Sequence, residues 1–356
     1  MSVHLISAQQ AMAQYDRFDA VIDARSEGEY AEDHLPGALN WPSLDNEQRI
    51  LVGTLYKQVS PFEAQKIGAS LVAANISRHI QNHVLDKAKN WQPLVYCWRG
   101  GKRSNSLALI LGQIGFKVHL IEGGYKAFRK AVIEDTPERV RPLQFRVLCG
   151  PTGSGKTRLL QALAAQGAQV LDLEAIASHR ASVLGVIPGQ PQPTQKAFET
   201  RLWDALRRLD PKRPVFVEAE SKKVGNLTIP DSLIEAMRAS PCVRLDLSLQ
   251  GRVQLLMEDY DYFVKDAVFF CERLDRLTDL KGRAVVDDWK ARVHAGQIAE
   301  VVAELLEKHY DPGYETSTAR NFRQYAQAPV LSLTGPGHAE MAAAAQHWLA
   351  SAPAAV

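Results

Sequence analysis

Short apolar runs punctuated by turn residues recur along the chain, and their spacing predicts two successive series of strands and helices. AVIDAR (20–25), PLVYC (93–97) and KVHLIEGG (117–124) have the near-continuous apolar character of strands buried on both faces. Between the last two, SNSLALILGQIG (104–115) carries helical spacing and stops at a glycine. Strands alternating with helices predict a parallel sheet covered on both sides, and this first series ends near Phe128. The stretch IEDTPERVRPL (133–143) is polar, holds two prolines and shows no apolar period, which predicts a linker. A second series opens at FRVLCG (145–150) and continues through AQVLDLE (168–174), PVFVEAE (214–220) and CVRLDLSL (242–249). From 250 to about 309 the pattern is mostly helical and heavily charged. An alanine-rich helix over 337–350 is expected to pack on the second domain. The expected division is therefore a first α/β domain over 1–132, a linker over 133–143, a second α/β domain over 144–335 and a helical tail over 336–356.

Bulk properties narrow the class without naming it. At 356 residues two domains are the default, and 46% hydrophobic with 23% charged residues is a soluble globular composition. No run of about 18 apolar residues exists, so no membrane span is expected. The start MSVHLISAQQ lacks the basic and apolar regions of a secretory signal. Cys97, Cys149, Cys242 and Cys271 are scattered without paired spacing, which argues against a disulfide framework or a zinc site and for the cytoplasm. A net charge of +2, from 42 basic and 40 acidic residues, neither requires nor excludes nucleic acid.

The segment GPTGSGKT (150–157) matches the phosphate-loop pattern G-x-x-x-x-G-K-[ST], with an apolar strand before it and a helix after it. Glycines at 150, 153 and 155 let backbone N–H groups turn inward on phosphate oxygens at the positive end of a helix, with Ser154 between them. Lys156 adds a point charge for the outer phosphates, and Thr157 can ligate magnesium. A glycine-rich turn that binds nothing is the plain alternative. The usual acidic partner sits at a neighbouring strand end, where Glu218 and Glu220, or Asp172 and Glu174, fit as well as solvated strand ends would. No other metal site stands out. The motif does not decide between a nucleotide and another diphosphate.

YCWRGGKRS (96–104) puts Cys97 at a strand end, five residues before Arg103, with a helix directly after. Trp98, Arg99, Gly100, Gly101, Lys102 and Arg103 would form a loop whose N–H groups and cations surround the sulfur and hold an anionic sulfur, selenium or phosphorus donor. A plain buried cysteine is the alternative. Two chemistries share the spacing: ester hydrolysis through a cysteinyl phosphate, and sulfur or selenium transfer through a persulfide-like adduct. DARSEGEYAEDHLPGALN (23–40) and EGGYKAF (122–128) resemble the flanking signatures of the rhodanese superfamily, and a phosphatase would have a histidine where Tyr96 stands. Chalcogen transfer is the better reading.

With both loops in one chain, LDLEAIASHRAS (171–182), QPTQKAFE (192–199) and VEAESKKVGNLTIP (217–230) extend the likeness. From about residue 5 to about 330 the chain resembles the tRNA 2-selenouridine synthase family. One departure is visible, since Ser178 and Ala181 flank His179 and Arg180 in a segment that the family makes richer in asparagine and glycine. The resemblance implies a rhodanese-like domain followed by a P-loop NTPase-like, doubly wound α/β domain with a helical C-terminal part. It implies a substrate tRNA carrying 2-thiouridine at the wobble position, first geranylated on sulfur from geranyl diphosphate and then selenated from selenophosphate. Cys97 would carry selenium as an S-selanyl adduct. The phosphate loop would hold the diphosphate of geranyl diphosphate, with magnesium as an optional partner and no requirement for ATP. An enzyme supplying selenophosphate is a conceivable partner.

Candidate tRNA or substrate contacts are His179, Arg180, Arg201, Lys222 and Lys223, among further basic residues at Arg207, Arg208, Lys212, Arg213, Arg273 and Arg276. Each could equally belong to an ordinary solvated face. Trp98 could stack on the target base or anchor its own loop. The competing reading is a P-loop kinase or ATPase with a regulatory rhodanese module.

Overall fold

The computed structural model describes residues 3–180 and 185–351; Ala181 and Ser182 of the segment singled out above lie outside them. The chain divides into two compact units, Met1–Thr136 with Thr194–Asp204, and Pro137–Pro193 with Ala205–Val356.

In the first unit β1 (Val3–Ile6), β2 (Ala20–Asp23), β3 (Leu39–Asn40), β4 (Pro93–Tyr96) and β5 (Val118–Ile121) form one parallel sheet in the order β1-β5-β4-β2-β3. Strands β4 and β5 are buried at every position, as strands covered on both faces must be. Pairing of Asp23 with Tyr96 brings the chain that leaves β2 and β4 to the same edge of the sheet. The sequence pattern missed β1 and β3, because β1 is half exposed and β3 has only two residues.

Two boundaries are corrected. Residues 133–140 are not a linker but the end of the helix Gly124–Val140, which passes through Pro137. Its buried face runs through Phe128, Ala131, Val132, Thr136 and Val140, so a polar Thr136 fills a core position and hides the period. The hydroxyl of Thr136 donates to Val132 O at 2.7 Å. The second correction is that residues 144–335 are not one domain. The helix Gln195–Arg207 lies mostly in the first unit, where Trp203 is fully buried edge-on to Tyr15 and Phe128. Trp203 Nε1 donates to Asp135 Oδ2 at 2.8 Å, and Thr200 Oγ1 to Asp33 Oδ2 at 2.9 Å.

The second unit holds β6 (Phe145–Cys149), β7 (Gln169–Leu171), β8 (Val215–Glu218), the hairpin β9 (Lys223–Val224) with β10 (Leu227–Thr228), β11 (Cys242–Asp246) and β12 (Val330–Ser332). Its parallel sheet has the order β12-β11-β6-β8-β7. The strand predicted over 168–174 stops at Leu171, because Asp172 Oδ1 accepts Ala175 N–H at 2.8 Å and starts the helix Leu173–Ala177. The helices between Leu249 and Leu305 build their own core around Phe270, Leu274, Trp289 and Val301. In the tail helix His338–Ser351, Met341 and Ala345 are buried with Leu159, Leu160 and Leu163. No helix among the described residues is long and apolar enough to cross a membrane.

Candidate functional site

Each unit carries one of the two glycine-rich loops at the C-terminal edge of its sheet. In the first, Cys97 follows β4 and is 2% exposed. Its Sγ accepts Gly101 N–H at 3.3 Å and the Ser104 hydroxyl at 3.0 Å. Gly101 is also the cap residue of the helix Lys102–Ile114, so the sulfur faces the positive end of that helix. Two donors and a helix terminus at one sulfur suit a species carrying negative charge.

Glycines set this curvature. Gly124, at φ +58°, leaves no room for a side chain: a Cβ there would lie 2.1 Å from Cys97 O and 2.6 Å from Gly100 N. The segment 122–126 therefore clasps the cysteine loop, with Tyr125 N–H on Cys97 O at 2.8 Å and Lys126 N–H on Trp98 O at 3.1 Å. Trp98 stacks on Tyr125, ring centroids 5.4 Å apart, which is the loop-anchoring role. Behind it Tyr125 donates to Asp33 at 2.7 Å, and the buried Arg25 lies 4.0 Å from the Tyr125 ring centroid while paired to Asp23 at 2.6 Å.

The cations of the loop divide. Arg103 is committed to Glu29 through bonds of 2.6 and 3.3 Å. Burial raises the Glu29 carboxyl, but Arg103, helped by the Ser26 N–H and Arg49, reverses this and holds it below its usual range. Arg99 and Lys102 are exposed. They remain the charges able to meet an anionic donor.

In the second unit GPTGSGKT joins β6 to the helix Lys156–Ala165, with Gly153 at φ +77° and Gly155 at φ +88°. Lys156 Nζ donates to Gly150 O at 2.7 Å and to Pro151 O at 3.3 Å. Thr157 Oγ1 donates to Glu174 Oε2 at 3.2 Å. Buried Ser154 Oγ has no partner among the described residues. A cavity of about 240 Å³ opens over the loop, with Glu174, Arg180, Glu220, Asp259 and Tyr314 among its walls.

Of the acidic candidates, Glu174, Glu218 and Glu220 converge, one carboxylate oxygen of each lying within 4.8 Å of the others. Asp172 is the helix cap described above. Glu218 is fully buried, and neither of its oxygens has a hydrogen-bond partner among the described residues. A divalent cation fits this donor set, because it would satisfy two buried carboxylate oxygens left without a close donor. Burial, then repulsion from Glu174 and Asp172, pushes Glu218 up to about 8, with Thr157 and Lys156 opposing only in part. Glu220 is raised by burial, then by repulsion from Glu174 and Glu218.

The sign of the resulting pH dependence follows from that rise. Between the ordinary 4.5 and about 8 the folded protein keeps a proton on Glu218 that the unfolded chain has lost. The contribution is therefore full below 4.5 and is lost as pH rises through about 8. Metal-free protein should lose thermal stability from about pH 4.5 to about pH 8, and Glu218→Gln should make that slope shallower. Parallel melting curves across pH, with equal slopes for both proteins, would contradict the assignment.

The remaining candidates separate. Arg180 lines the phosphate cavity, 3.6 Å from Asp259 and 4.7 Å from the Tyr260 ring centroid. His179 is buried, its Nδ1 has no partner among the described residues, and burial lowers its pKa. Lys222 pairs with Asp231 at 2.7 Å on the surface, and Lys223 is exposed in the hairpin. Arg201 is exposed on the helix that belongs to the first unit, so it does not share the second unit with the others. Sequence reasoning missed Tyr314, whose hydroxyl accepts Gly150 N–H at 2.6 Å, and Arg252, which donates to Thr152 O at 2.8 and 3.0 Å. No motif marks either one.

Both loops lie within stretches that match family models. A family model described as the tRNA 2-selenouridine synthase AAA domain matches residues 143–273, and a Rhodanese-like domain model matches residues 7–131. The tRNA 2-selenouridine synthase of Nitrosomonas europaea is 38% identical over 244 residues, covering 67% of this chain and 63% of that protein. The one from Nitrosomonas eutropha is 36% identical over 259 residues, covering 72% of this chain and 66% of that protein. For these two relatives the match spans slightly less than two thirds of their length. The tRNA 2-selenouridine synthase of Shewanella halifaxensis is 33% identical over 344 residues, covering 88% of this chain and 93% of that protein.

Proposed function

Because the chain belongs to the tRNA 2-selenouridine synthase family, we propose that it converts wobble 2-thiouridine of tRNA to 2-selenouridine through an S-geranyl intermediate. In the first step the sulfur attacks C1 of geranyl diphosphate, a C–S bond forms and diphosphate departs. Alkylation matters because a thiocarbonyl sulfur leaves poorly, whereas an S-alkyl group departs as a thiol and leaves C2 electrophilic. In the second step the selenium of selenophosphate attacks C2, the geranyl group leaves as its thiol, and water cleaves the Se–P bond to release phosphate, with the Cys97 loop as the carrier that holds the donor against C2.

The division of labour follows the two loops. The N–H groups of 153–157 and Lys156 hold the diphosphate and stabilise its charge as it leaves. Thr157, Glu174, Glu218 and Glu220 are the residues that would hold a divalent cation, which supplies further positive charge to the diphosphate. The observation that carries the prenyl reading is a second, almost wholly apolar pocket that shares Thr152, Leu256 and Tyr260 with the phosphate cavity and continues past Met257, Phe263 and Phe270. Phosphate donors at one end and hydrocarbon walls at the other suit a prenyl diphosphate.

The test is incubation with 2-thiouridine tRNA, geranyl diphosphate and selenophosphate, followed by mass analysis of the nucleosides. Both S-geranyl-2-thiouridine and 2-selenouridine should form without ATP. Absence of both would sink the proposal, and tRNA-stimulated ATP turnover in their place would favour a P-loop kinase or ATPase with a regulatory rhodanese module.

A further inference from the structure

The helix Asp311–Asn321 forms one wall of the phosphate cavity through Tyr314, Ser317, Thr318 and Asn321. Its first turn is fixed by Arg252, which is largely buried and donates to both Asp311 oxygens at 2.6 and 2.9 Å. The same guanidinium holds the phosphate loop by its two bonds to Thr152 O. Helix and loop are thereby tied to one rigid fork.

This clamp sets Tyr314 against the loop. Its hydroxyl accepts the Gly150 N–H, and its ring centroid lies 5.6 Å from Lys156 Nζ. The ammonium has three donors, and two of its bonds already go to Gly150 O and Pro151 O. The lysine of such a loop reaches the outer phosphates of a bound polyphosphate. Tyr314 therefore occupies space in the cavity beside Lys156, the cation of the loop that a terminal phosphate would seek.

We propose that Tyr314 is a specificity-determining residue that admits two linked phosphates to the loop and blocks a third. This rests on the reading of the loop as a diphosphate holder. It also accounts for a complete phosphate-loop motif in a site that need not take a nucleoside triphosphate. Burial keeps the Tyr314 phenol neutral by raising its pKa, so the blocking group brings no charge to repel the diphosphate.

Calorimetric titration of the full chain, with magnesium present, tests this with inorganic pyrophosphate and inorganic tripolyphosphate as probes. Wild type should bind pyrophosphate at least about tenfold more tightly. Tyr314→Ala should bring the two within about threefold by admitting tripolyphosphate, whereas Tyr314→Phe, which keeps the ring, should retain the preference. If Tyr314→Ala does not fold, Tyr314→Leu carries the same expectation. Equal binding of both probes by wild type, or a preference unchanged in Tyr314→Ala and Tyr314→Leu, would overturn the inference. Pyrophosphate binding that depends on Lys156, with a preference over tripolyphosphate that does not depend on Tyr314, overturns this inference alone. Failure of wild type to bind pyrophosphate at all removes the diphosphate reading and this inference with it.

Discussion

Serine in place of Cys97 should lower the rate of selenation of S-geranylated tRNA by about three orders of magnitude or more, while geranylation stays within about threefold of wild type. The substitution changes one atom in a buried loop, and its cradle can survive it. The Gly101 N–H and the Ser104 hydroxyl that now face Sγ can face an oxygen instead. What is lost is the polarizable sulfur that the loop presents to the selenium donor. Incubation of the variant with 2-thiouridine tRNA, geranyl diphosphate and selenophosphate should therefore accumulate S-geranyl-2-thiouridine, read by mass analysis of the nucleosides. A variant that still makes 2-selenouridine at the normal rate would falsify the carrier role of Cys97. A thermal melt close to that of wild type would tie the loss to chemistry rather than to the fold.

Both loops were legible because each is contiguous: a strand, a run of glycines and cations, and a helix start fall within ten residues or so. The surroundings that tune them are not contiguous. Tyr314 meets Gly150 from 164 residues away, and Arg252 reaches Thr152 from 100 residues away, without any local signature. Among the acidic residues, Glu218, Glu220, Asp172 and Glu174 looked alike at two strand ends. The fold separates them, because Asp172 is spent on capping a short helix while the other three converge. The boundaries failed for a related reason. Proline and charge marked 133–143 as a linker, but Asp135 and Thr136 are polar groups with partners inside the first unit, and they hold the helix to Val140. The helix Gln195–Arg207 has an amphipathic pattern that says it must pack, not which core receives Trp203.

Lys156→Ala should have the complementary effect, reducing geranylation about 10²- to 10³-fold and leaving selenation of pre-geranylated tRNA within about threefold. The expectation rests on where charge develops. In prenyl transfer negative charge grows on the departing diphosphate, and the second step involves no diphosphate. Lys156 also bonds Gly150 O and Pro151 O, so its removal weakens the loop as well as its charge. Lys156→Arg separates the two effects. It keeps the cation but cannot repeat the compact three-donor geometry of an ammonium, so it should recover part of the lost geranylation. A loop that mattered only for structure would give the same defect with arginine as with alanine. Single-turnover rates for the two half-reactions, measured on separately prepared 2-thiouridine and S-geranyl-2-thiouridine tRNA, decide the matter. Equal loss of both steps in Lys156→Ala would mean that the phosphate loop serves the whole reaction, and the separation of prenyl transfer from selenium transfer would have to be given up.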